Sequence, residues 1–116
     1  MADFAPKKLA RTIGKLALEK NGFDIQLLDL RKCSDVANYF VIISGSVDVH
    51  VKAIADNIVD GMKKKEVRAL HVEGYNNLQW VLLDYVTVVV HIFQPEIREY
   101  YSLEKLWGDA PGEKLD

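Results

Sequence analysis

Sulfur chemistry has little to work with in this sequence, which holds a single cysteine, Cys33. One thiol closes no intrachain disulfide and lacks the company a zinc site needs, and a lone thiol is ordinary in a reducing compartment. Proline is scarce too, at 3 residues beside 7 glycines in 116, which excludes collagen-like and low-complexity disordered chains. No apolar run approaches the ~20 residues that span a bilayer. The first eleven residues carry Asp3 and no apolar stretch, so they read as neither a signal nor a transit peptide. A surplus of positive charge is also missing, because 15 Lys and Arg stand against 17 Asp and Glu for a net charge of −2. Binding nucleic acid without sequence preference needs a basic surplus to displace counterions from phosphates, so a general nucleic-acid binder is disfavoured. Together these absences predict a soluble cytoplasmic protein with no direct membrane contact.

What is present is an ordinary globular composition, 49% hydrophobic and 28% charged, at a length typical of one domain. One domain over residues 1–116 is expected, with its core at about 7–107 and a flexible tail at 108–116. Leu9, Ile13, Leu16 and Ala17 recur at the spacing of one helix face within residues 6–21. Pro6 suits the first turn, and Asn21-Gly22 supplies a left-handed stop. Lys7, Lys8, Arg11 and Lys15 fall on the polar side and read as a solvated face before a phosphate-facing patch.

Residues 24–30 read as a strand, 31–38 as a polar loop, and Tyr39-Phe40-Val41-Ile42-Ile43 as a strand buried on both faces at the centre of a sheet. After Ser44-Gly45-Ser46 a second helix turns Val51, Ile54, Ile58 and Met62 inward. On its outer side Asp48 with Lys52 and Asp60 with Lys64 have acid-first spacing. Residues 67–73 form a third strand closed by Gly74. Residues 80–85 and 86–93 form two more, paired through a turn near 84–87 that neither Gly nor Asn marks. Pro95 permits a helical turn, and Ser102 caps a short helix towards Trp107. The order predicts an α/β fold with a mixed sheet of about five strands flanked by helices.

Candidate chemistry is sparse. A small-residue turn at a helix N-terminus, as at Ser44-Gly45-Ser46, offers backbone N–H groups to an anion, but the Gly-rich spacing of a phosphate-binding loop is missing. Metal-dependent nucleotidyl transfer also needs carboxylates projecting together from a following strand, and Val67-Arg68-Ala69-Leu70-His71-Val72-Glu73 has no such pair. His50, His71 and His91 show no ligand spacing, and His91 reads as a hydrogen-bonded core or edge histidine. No catalytic residue, metal site or cofactor is expected. Aromatic residues say more: Trp80, Leu82 and Asp84 share one strand face, and Tyr100, Tyr101, Leu103, Leu106 and Trp107 cluster beside Arg98. Trp, Tyr and Arg dominate protein–protein hot spots, so Trp80 reads as an interface residue and Trp107 as either core or interface.

Several stretches resemble the Iojap or ribosomal silencing factor family. They are Asn38-Tyr39-Phe40-Val41-Ile42 before Ser44-Gly45-Ser46, Glu73-Gly74-Tyr75 ahead of Trp80-Val81-Leu82-Leu83-Asp84, and Val88-Val89-Val90-His91-Ile92-Phe93. The most specific is Arg98-Glu99-Tyr100-Tyr101-Ser102-Leu103-Glu104-Lys105-Leu106-Trp107-Gly108-Asp109-Ala110. The likeness covers about residues 7–111. It departs from the family after Asp84, where members often carry Gly-Asp and this chain has Val86-Thr87.

The resemblance implies a nucleotidyltransferase-like fold that has lost transferase chemistry. It implies binding to the large ribosomal subunit through its protein fourteen, where the small subunit must dock, so that translation is repressed when nutrients are scarce. A large-subunit biogenesis factor protecting the same face is the alternative it leaves, with a nucleotide-using transferase a more distant one. The resemblance further implies a homodimer when free, a ribosome-associated location and at most peripheral rRNA contact. Its partner-binding residues map first onto Trp80, Leu82 and Asp84, then onto Arg98 and Tyr101, with Tyr39 and Trp107 partly structural.

Overall fold

The computed structural model describes residues 5–115. Helix α1 (Pro6–Leu18) starts at the predicted proline and turns Leu9, Ala10, Ile13 and Ala17 inward. It stops where Asn21 adopts φ 61° and the Gly22 N–H donates to the Ala17 carbonyl at 2.9 Å. Strand β1 (Phe23–Asp29) begins one residue earlier than expected and carries a register shift between Phe23 and Gln26, with Asp24 at φ 50°. Strand β2 (Tyr39–Ser44) is buried at every position, as its unbroken apolarity predicted.

Helix α2 (Asp48–Lys64) buries Val51, Ile54, Ala55, Ile58 and Met62. Its ion pair is Lys52 with Asp56 at 3.1 Å, where acid-first spacing predicted Asp48 with Lys52. The Tyr75 hydroxyl donates to the other oxygen of Asp56, and Lys52 also lies 5.6 Å from the centre of the Tyr75 ring, so a tertiary contact draws the lysine the other way along the helix.

Strand β3 is only His71–Glu73, shorter than the expected 67–73. Val67 and Ala69 pack instead as an irregular segment against the core, after Glu66 at φ 64° ends the helix. Strands β4 (Trp80–Asp84) and β5 (Val88–Phe93) form the predicted hairpin. Its turn is tight: Tyr85 N–H donates to the Val88 carbonyl at 2.9 Å, and Asp84 Oδ1 accepts the Val86 N–H at 2.8 Å. Val86 sits at φ 72°, a left-handed conformation that a β-branched residue adopts only under strain.

Short helices α3 (Pro95–Tyr101) and α4 (Leu103–Leu106) follow, and the chain closes with strand β6 (Gly112–Lys114). The expected flexible tail at 108–116 is therefore corrected, apart from Asp116, which lies outside the described residues. Gln26, Leu27 and Leu28 pair with Lys114, Glu113 and Gly112, Arg11 bonds Glu113 at 2.7 Å, and Leu115 packs over Gly14. Three residues with no apolar alternation give no strand signal in sequence, so only tertiary pairing reveals β6.

The mixed sheet has six strands, not about five, in the order β3-β4-β5-β2-β1-β6. Among the described residues only β2 and β5 run parallel, joined by the long crossover that contains α2. Helices α1 and α2 cover one face, where Ile13, Ile43, Ile54, Ile58, Met62, Leu83 and Ile92 are fully enclosed. Tyr85 is enclosed there too, and burial pushes its hydroxyl up to about 12.

Candidate docking face

Strand alternation divides the central residues cleanly. Val81 and Leu83 point to the helix-covered core, whereas Trp80 and Leu82 join the opposite face with Phe40, Ile42, Val89 and Phe93. Asp84 shares their side of β4, as the period-two reading predicted. The cover on this face is thin, because α3 and α4 contain no fully buried residue and contribute only half-buried Ile97 and Leu103.

Trp80 is half-buried and fixed in orientation. Its Nε1–H donates to His91 Nδ1 at 3.0 Å, while its ring stacks on Phe93 at 4.8 Å and meets Tyr101 at 4.8 Å. Because Nδ1 accepts, the proton of the neutral imidazole resides on Nε2, a buried atom with no partner among the described residues. His91 is 4% exposed, lies against the Phe40 ring at 4.6 Å, and is pushed down to about 4 by burial. It is thus neutral near pH 7. The hydrogen-bonded core histidine expected in this apolar strand is what the structure holds, and its pairing with Trp80 had no signal in sequence.

Leu82 is half-buried between Glu73 on β3 and His91 on β5. Asp84 lies opposite His71 and Val89, with one carboxylate oxygen engaged by the turn. Tyr101 is 50% exposed and touches Trp80, so the structure brings these two together at one end of β4, while Asp84 lies at its other end beside the turn.

Three expected partner contacts have internal roles. Arg98 is 11% exposed at its side chain and turns away from Tyr101. Its Nη1 donates to the Asp24 carbonyl at 2.6 Å and Ser44 Oγ at 2.7 Å, and its Nε to Glu104 at 3.2 Å, tying α3 to β1, β2 and α4. Tyr39 is 3% exposed and belongs to the helix-side core, a consequence of odd numbering on β2 that puts it beside Val41 and Ile43. Trp107 is half-buried and meets Phe40 edge-on at 6.0 Å, so it completes the thinner core.

The turn at Ser44-Gly45-Ser46 is filled from within the chain. Arg98 holds the Ser44 hydroxyl, Gly45 N–H donates to the Phe93 carbonyl at 2.9 Å, and Ser46 N–H donates to His50 Nδ1 at 2.8 Å. His50 Nε2 in turn bonds the Lys20 carbonyl at 2.7 Å. The Gly45 and Ser46 N–H groups, which a phosphate would need, are therefore already engaged. Among the described residues no cluster of three His, Cys, Asp or Glu could hold a metal ion, and no helix is long and apolar enough to cross a membrane.

Residues 3–116 match a family model described as "Ribosomal silencing factor during starvation". Ribosomal silencing factor RsfS of Bacillus subtilis is 45% identical over 84% of this chain and 83% of its own. The mouse protein named "Mitochondrial assembly of ribosomal large subunit protein 1" is 33% identical over 79% of this chain and 42% of its own. A crystal structure of a Chromobacterium violaceum protein superposes with a TM-score of 0.88 at 30% identity, covering 90% of this chain and 88% of that one. With the family model spanning the aromatic sheet face and both flanking layers, the chain belongs to the ribosomal silencing factor family.

Proposed function

We propose that this protein binds the large ribosomal subunit through ribosomal protein fourteen and sterically blocks the small subunit, repressing translation under nutrient limitation. The observation that carries this reading is the half-covered aromatic face, where Trp80 is locked by His91 beside Leu82 and Tyr101. A large, rigid aromatic with apolar neighbours binds with little ordering cost, which is the character of an interface anchor. Asp84 at the rim meets a basic group of the partner, and the chain's net charge of −2 suits a basic ribosomal protein better than bare rRNA. Obstruction needs no catalysis, in keeping with the internally filled Ser44-Gly45-Ser46 turn. In the free state the protein is a cytoplasmic homodimer, for which exposed Leu70, Val72, Tyr100 and Leu106 supply apolar surface.

Sucrose-gradient sedimentation with purified large subunits tests the reading. The protein is expected to travel with intact large subunits, to leave those stripped of protein fourteen, and to lose binding in Leu82→Arg with its circular dichroism unchanged. Binding that ignores both changes would refute it. A second reading, protection of the same face during large-subunit assembly, is favoured by the name of the mouse relative. It predicts preferential association with precursor particles over mature subunits.

A further inference from the structure

A groove of about 480 Å³ opens between the loop after β3 and helix α3, lined chiefly by Asn77, Gln79, Trp80, Ile97, Tyr100 and Tyr101. Its wall is built in advance. Gly74 adopts φ 79°, where any Cβ would strike the Trp80 carbonyl, and the Tyr75 hydroxyl fastens the loop to Asp56 of α2. Gln94 holds the loop's other end, through its N–H to the Gln79 carbonyl at 3.0 Å and its amide to the Leu78 carbonyl at 3.1 Å. Tyr100 and Tyr101 stand with ring planes at 88° and centres 5.1 Å apart, forming a corner with Tyr100 80% exposed.

No lysine or arginine lines this groove. Arg98, its nearest cation in sequence, is engaged with Asp24, Ser44 and Glu104 instead. The neighbouring charges are acidic: exposed Glu96 lies one helical turn before Tyr100, and exposed Glu73 directly precedes Gly74. Exposed ring faces beside carboxylates and amide oxygens, with no competing cation, match a planar guanidinium, which stacks on π faces and donates at its edge. An RNA base would stack as well, but its phosphates would meet the acidic rim.

We propose that this groove receives an arginine side chain from an extended basic segment of a protein partner, seated in the Tyr100–Tyr101 corner with Glu96 at its rim. The inference rests on the docking reading of the Trp80 face and extends it to the chemistry of one contact. It separates this contact from the anchor at Leu82, which does not line the groove, so that Tyr100 and Leu82 can be substituted one at a time.

The test measures affinity of the full-length protein for purified large subunits at two salt concentrations, in four variants. Tyr100→Phe keeps the π face and is expected to bind within about twofold of the parent. Tyr100→Leu keeps apolar area without the π face and is expected to bind about fivefold more weakly. Glu96→Lys is expected to weaken binding further at low salt, with the difference shrinking at high salt. Leu82→Arg reports on the docking face itself. Equal binding by Tyr100→Leu and Tyr100→Phe, with Leu82→Arg still defective, would overturn the arginine site and leave the docking reading standing. Tighter binding by Glu96→Lys would assign the groove to RNA and equally overturn the proposal. Unchanged binding in Leu82→Arg would remove the docking reading instead.

Discussion

On the helix side of the sheet, twenty described hydrophobic residues form one buried cluster beneath two long helices, whereas the opposite side buries seven beneath two helices of seven and four residues. The first side is largely aliphatic and held by dispersion and water exclusion, so its stability is spread over many contacts. The second buries mostly aliphatic residues too, but carries the ring contacts of Phe40, Phe93, Trp80 and Trp107 and depends on a few polar pins, above all Trp80 to His91 and Arg98 to Ser44, Asp24 and Glu104. Its thinner cover leaves Leu82, Trp80 and Tyr101 within reach of a partner. Stability and access are thereby divided between the two sides, and binding surfaces are commonly drawn from the less stable part of a fold.

The sharpest way to break this comparison is to excavate both sides. Ile58→Ala, on the sealed side, is expected to cost about 3–4 kcal/mol in urea denaturation. Ile97→Ala, at the half-buried cover, is expected to cost about 1 kcal/mol. Equal losses would show that the two sides are held alike.

A slightly smaller effect comes from pH. His91 binds its proton at about 4 in the folded chain, against about 6.5 when unfolded, so the unfolded state takes up more protons as pH falls between these values. Its contribution is fully present above about pH 6.5 and is lost progressively towards pH 4, a swing of about 3 kcal/mol. Denaturation at pH 7 and pH 4.5 measures the slope. His91→Leu is expected to flatten it, because no other described histidine is buried.

Arg98→Met ranks next, at about 2 kcal/mol, since it removes three hydrogen bonds and leaves Glu104 at the helix junction without its cation. Hydrogen exchange is expected to quicken in α3 and α4 while α1 and α2 stay protected. Uniform quickening would mean that the arginine supports the whole fold. The smallest expected change is a gain: Val86→Gly relieves the left-handed strain at φ 72° and raises stability by about 1 kcal/mol in a thermal melt.

How legible each side was in the sequence follows from the same contrast. The helix side repeats apolar residues at regular spacing, so α1, α2 and the buried strand Tyr39–Ser44 were readable from periodicity. Trp80, Leu82 and Asp84 were placed on one face for the same reason. Arg98 reads in sequence as a partner-contact candidate and Tyr39 as a partly structural one, and the structure gives both internal contacts, because an exposed-type residue and an aromatic look alike in sequence whether they face a partner or the interior. Only the sheet order shows that Ser44 and Asp24 lie under Arg98, 54 and 74 residues away along the chain. Strand β6 has no signal in sequence because three residues carry no period, whereas the hairpin turn lies where the sequence puts it, near 84–87, closed by the Asp84 side-chain acceptor without a Gly or Asn to mark it.

The central claim, that the thin aromatic face blocks subunit joining, is tested most directly by light scattering as purified small subunits are mixed with large subunits preloaded with this protein. The account predicts that the parent protein and Ile97→Ala slow joining, whereas folded Leu82→Arg leaves it as fast as with no protein added. Joining slowed equally by the parent and by folded Leu82→Arg would contradict it.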